Sequence, residues 1–123
     1  MRPGTEALQW FGLLAAPAAW TVQLVVGYGA TVAACSAAGR RWNVSVPTWE
    51  IALAAAAAAV ALAGEAAAVA AWRTTRSIDE DAPPPEGRIH FFADASLVAN
   101  VVFLVLILLG GIGAAHLGVC RQA

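Results

Sequence analysis

Cys35 and Cys120 are the chain's two cysteines, and the chemistry open to them is one disulfide. Each lies at the far end of a long hydrophobic stretch, Cys35 closing the first and Cys120 the third. With three membrane crossings, the exits of the first and third helices fall on the same face, whichever way the chain is inserted. A bond between them closes a loop of about 85 residues, which the chain-entropy model values at ~4 kcal/mol, an upper bound where the unfolded chain stays in a membrane. The competing reading is two cysteines that merely fill apolar positions. A redox-active role has less support, since neither cysteine has the partner spacing of an exchange site.

Four further side chains carry polarity into apolar sequence: Gln23, Glu65, Asp94 and Asn100. An ionisable residue at such a depth is a functional candidate by default. Glu65 and Asn100 lie at similar depth and are expected to meet across the second and third helices, as glue worth ~0.6–2 kcal/mol. Asp94 follows His90 by one helical turn, so a His90–Asp94 pair at the membrane edge is expected. Trp20, Gln23 and Gly27 share a helical stripe that reads as a protein-facing surface, and Gly64 opens the second helix to close packing. Gln23 has two open readings, a contact within the chain or a contact with a larger partner.

Metal, haem and catalytic readings find no residues. His90 and His116 lie about 39 Å apart along one helix, at 1.5 Å per residue, and cannot share an ion. No Cys-x-x-Cys, Cys-x-x-Cys-His or His-Glu-x-x-His motif occurs. Gly110, Gly111 and Gly113 fall inside an apolar helix and read as a packing or bending site, not a phosphate loop. No catalytic, cofactor or metal residue is therefore assigned, and no cofactor is expected.

The elements that must position these residues follow from composition. Of the 123 residues, 60% are hydrophobic and 12% charged. The net charge of -1 gives no basis for nucleic-acid binding. Spans over residues 10–34, 51–72 and 93–117 are each long enough for a ~30 Å hydrocarbon core. Backbone groups in lipid must be satisfied internally, which makes the spans helices. The fold class expected is all-α: a single transmembrane domain over 1–123, an integral membrane three-helix bundle with little extramembrane structure. Val32-Ala33-Ala34-Cys35 loosely resembles a lipoprotein cleavage box, but the apolar run before it exceeds a ~7–15-residue signal core. Met1 to Gln9 reads as a polar tail. The Arg73–Arg88 loop, with Pro83 to Pro85, reads as extended and solvated. Trp10, Phe11, Trp42, Trp49, Trp72, Phe91 and Phe92 cluster at segment ends as an aromatic belt.

Orientation rests on two signals. Arg2, Arg73, Arg76 and Arg88 lie on one side, and Arg40, Arg41 and Arg121 on the other, a small excess for the amino-terminal side. A disulfide requires the oxidising face. Together they place the amino terminus inside and the carboxyl terminus outside.

Pro17, Trp20, Gln23, Gly27-Tyr28 and Cys35, then Trp72-Arg73, then the stretch from Arg88 to Cys120 with its run from Asn100 to Gly111, resemble a group of small three-helix bacterial proteins. Their genes tend to lie beside those for haem–copper cytochrome c oxidases. The group often shows a Pro-x-x-Trp stretch leading to a cysteine after helix one, and a cysteine closing helix three. The resemblance covers most of the chain and implies a respiratory context in a bacterial inner membrane. The expected function is a non-catalytic accessory subunit, with larger integral membrane subunits and lipid as partners. The alternatives are a transient oxidase assembly factor, or a small oligomeric transporter using Glu65 and Asp94.

Overall fold

A computed structural model describes residues 3–37, 45–118 and 120. Arg2, Arg40, Arg41, Trp42 and Arg121, singled out above, lie outside the described residues. Three helices follow in chain order: α1 (Pro3–Cys35), α2 (Val46–Thr75) and α3 (Glu86–His116). Each is long and apolar enough to cross a membrane.

The helices run past the apolar spans at several ends, and the reasons are local. α1 starts at Pro3, so residues 3–9 are helical and not a tail, with Thr5 and Gln9 buried. α2 starts at Val46, ahead of the apolar run that opens on Ile51. Ser45 is its N-cap, and Pro47 falls in the first turn, where a missing N–H costs nothing. α3 opens on Glu86, whose charge suits a helix N-terminus. Its C-cap is Leu117, whose N–H donates to Gly113 O at 2.9 Å. The linker between α2 and α3 is folded into turns and is not extended: Ile78 N–H donates to Thr75 O at 2.8 Å and Ala82 N–H to Asp79 O at 3.0 Å. Gly87 has no room for a side chain there, because a Cβ would collide with the carbonyl oxygens of Ala82 and Glu80.

The bundle is held by small residues. On α2 the buried positions Ala54, Ala57, Ala61, Gly64, Ala68 and Ala71 alternate steps of three and four, the period of a knobs-into-holes seam. A Cβ on Gly12 of α1 would lie 2.9 Å from the backbone nitrogen of Ala68, and one on Gly111 of α3 would lie 2.8 Å from Ala54 Cβ. Backbones therefore approach closely, the mode of association open to helices whose surroundings are as apolar as their cores. Trp20 and Phe103 flank the central cluster of Ala16, Ala57, Ala61 and Ile107, with ring centroids 5.6 Å apart.

The distribution of polarity is inverted relative to a water-soluble bundle. Thr5, Gln9, Thr75, Ser96 and Asn100 are buried, while Leu14, Val25, Val98, Val101, Leu109 and Ile112 are exposed. Exposed large apolar side chains run along all three helices.

Candidate functional site

Cys35 and Cys120 are joined by a disulfide, with Cα atoms 5.6 Å apart. It ties the end of α1 to the chain just beyond α3. Below it the helices part around two grooves. One, of about 250 Å³, is lined by Trp20, Gln23, Tyr28, Thr31, Glu50 and Gly110 among others. The second, of about 190 Å³, shares Thr31, Glu50 and Gly110 and reaches Gly113 and Leu117.

Glu50 is the residue common to both grooves that carries charge. It lies four residues after Val46, about 6 Å into α2 at 1.5 Å per residue. Thr31 Oγ1 is 2.7 Å from Glu50 Oε1 and 3.0 Å from Gly27 O, so its single proton is shared between two acceptors. A Cβ on Gly27 would sit 3.6 Å from the carboxylate, so the glycine leaves space over it. Among the described residues, none donates a hydrogen bond to Oε2 and no cation pairs with Glu50. A helix start placed at Ile51 leaves Glu50 outside the span, and so hides it. The signals were present: Ser45 and Pro47 mark a helix start, and Glu50 then falls on the stripe of Ala54, Ala57 and Ala61.

Gln23 contacts the chain's own α3: its Nε2 donates to Ile107 O at 3.1 Å, while Oε1 is buried without a partner. A Cβ on Gly110 would lie 3.2 Å from that Nε2. Trp20 and Gly27 lie on the same groove wall as Gln23.

Glu65 and Asn100 are not brought together. Asn100 Nδ2 donates to Gly12 O on α1 at 2.9 Å. The α2 residue facing it is Gly64, where a Cβ would come within 3.9 Å of Nδ2 and 3.0 Å of Ala15 Cβ. The buried seam of α2 passes through Gly64, and Glu65 is one residue, about 100° on a helix, further round. Glu65 instead lines a groove with Leu62, Ala66, Val69, Ala70 and Arg73, all on α2. Its Oε2 is covered and without a hydrogen-bond partner.

The His90–Asp94 pair is also replaced. His90 Nδ1 lies 3.1 Å from Thr75 Oγ1, linking α3 to the end of α2, and Asp94 is exposed. Nearby, Arg88 and Glu6 form a salt bridge at 2.6 Å between α3 and α1. Gln9 is fully buried with neither amide atom partnered. Its place is hidden in the sequence because the residues before Trp10 read as a tail.

The chemistry this arrangement supports is recognition. A hydroxyl, a carboxylate and an amide carbonyl accept hydrogen bonds or positive charge at the groove. Among the described residues, no group of three or more His, Cys, Asp or Glu side chains is placed to hold a metal ion. No family model, curated protein or solved structure matches the chain.

Proposed function

We propose that the protein is an integral membrane, non-catalytic accessory subunit of a respiratory complex, a haem–copper cytochrome c oxidase, in a bacterial inner membrane. The observation that carries the membrane part is the inverted polarity: large apolar side chains outside, small and polar ones inside. Such a surface requires lipid or an apolar partner around it. The amino terminus lies inside and the carboxyl terminus outside, which puts the Cys35–Cys120 disulfide on the oxidising face. The oxidase as partner is supported by the resemblance carried by Pro17, Trp20, Cys35, the Asn100–Gly111 run and Cys120.

An accessory role fits a chain whose described residues lie almost wholly in three helices and short turns. Its partner surface is then a helix face. Mild-detergent purification of the tagged protein from native membranes, followed by mass spectrometry, tests this. Stoichiometric recovery with the haem–copper subunits is expected. Recovery only as a free monomer or homo-oligomer sinks the reading. Deletion separates a stable subunit from an assembly factor: loss of a subunit leaves haem and copper content intact and alters the stability of the assembled enzyme.

A further inference from the structure

Two carboxylates near the apolar run of α2, Glu65 within it and Glu50 just ahead of it, differ in their surroundings. Glu65 shares its groove with Arg73 of the same helix. Glu50 shares its grooves with no cation among the described residues. A carboxylate at that depth is costly unless a positive charge reaches it.

We propose that the groove beneath the disulfide binds the primary ammonium group of a lipid headgroup, of the phosphatidylethanolamine type, with Glu50 as its anion and the ring of Tyr28 near its level. The inference rests on the membrane reading of the three helices and is independent of which protein partner they meet.

Four observations support it. First, depth: Glu50 and Thr31 each lie four residues from a helix end on the disulfide face, about 6 Å in, where headgroups meet acyl chains. Second, geometry: Thr31 engages Glu50 Oε1, while Oε2 meets no donor among the described residues and Gly27 keeps the space above the carboxylate open. Third, chemistry: a carboxylate with an aromatic ring near its level suits an ammonium ion, and Tyr28, one helical turn before Thr31, lines the groove. Fourth, size: about 250 Å³ is below the ~300–1,000 Å³ of sites that enclose a whole small molecule, so it suits one end of an amphiphile whose tails remain outside. Primary ammonium is favoured over quaternary because a carboxylate oxygen accepts hydrogen bonds from N–H groups, which a trimethylated nitrogen lacks.

The test is native mass spectrometry of the full chain released from micelles holding equal amounts of phosphatidylethanolamine, phosphatidylcholine and phosphatidylglycerol with matched acyl chains. The expected result is one retained phosphatidylethanolamine, preferred roughly fivefold or more over the others. Glu50→Gln should bring the three lipids to parity, and Glu65→Gln should leave the preference intact. Equal retention by the unaltered protein overturns the proposal, as does a preference that survives Glu50→Gln. Should Glu50→Gln fail to fold, the unaltered protein decides the matter through a series of N-methylated phosphatidylethanolamines. Retention should fall stepwise as N–H groups are replaced, and a flat series overturns the proposal. Release of the chain from membranes by alkaline carbonate would overturn the membrane reading itself, whereas retention in the membrane without lipid preference overturns only this inference.

Discussion

The two ends of the bundle are held together by different means. At the end carrying the amino terminus, Gly12 lies against the Ala68 backbone, Asn100 reaches Gly12 O, and Glu6 pairs with Arg88. At the other end the helices part around Glu50, Gly27 and Gly110, and a covalent bond between Cys35 and Cys120 spans the gap. α2 and α3 stay close at that level too, where a Cβ on Gly111 would lie 2.8 Å from Ala54 Cβ, so the groove opens along α1. A fold that needs a groove must secure that end some other way, and here the disulfide does so.

The largest expected effect comes from removing that bond. Cys35→Ser with Cys120→Ser should lower stability by up to ~4 kcal/mol, the ceiling of the chain-entropy model. Hydrogen exchange should quicken in residues 20–32 and 106–116 more than in residues 5–16. Equal quickening at both ends would break the contrast between them.

Gly12→Val should cost ~1–3 kcal/mol, because a Cβ 2.9 Å from the Ala68 nitrogen forces the backbones apart. Gly27→Ala at the open end adds a Cβ at ordinary contact distance, 3.6 Å from the Glu50 carboxylate, and should change stability by less than ~0.5 kcal/mol. Unfolding in detergent followed by circular dichroism compares the two, and similar costs would show that the packed end is no tighter than the open one.

Asn100→Ala should cost ~0.6–2 kcal/mol through the lost bond to Gly12 O, read in the same unfolding assay. A neutral result would assign the cohesion of that end to small-residue packing alone. The smallest effect belongs to Glu6→Gln. Its ion pair with Arg88 is half exposed, so ~0.2–1 kcal/mol is expected, diminishing as salt is added. A loss that does not respond to salt would point to packing around Glu6 and not to its charge.

The three helices are legible in the sequence because apolar run length is a one-dimensional quantity. The pairing of Cys35 with Cys120 is legible for a similar reason: with three crossings, the exits of the first and third helices share a face, and that depends only on counting. Helix phase is different. Glu65 and Gly64 are neighbours in the chain, yet only Gly64 faces Asn100, and the choice is set by the seam through Ala61 and Ala68. In an alanine-rich helix nearly every stripe looks alike, so periodicity carries little information about which face is buried. Glu50 is lost for another reason, a helix boundary set by hydrophobicity when Ser45 and Pro47 mark an earlier start. His90 turns from Asp94 to Thr75, a partner supplied by the packing of α3 on α2, which local spacing does not encode.

The position of Cys120 also has a consequence in time. It follows α3 in the chain, so the clasp cannot close until α3 has been synthesised. A molecule stalled after α2 remains an open polymer, whereas one that has closed the bond holds α2 and α3 within a covalent ring, with α1 tethered to it at Cys35. Ring closure thereby separates chains that have made α3 from those that have not, and a gel run without reductant would count the two populations.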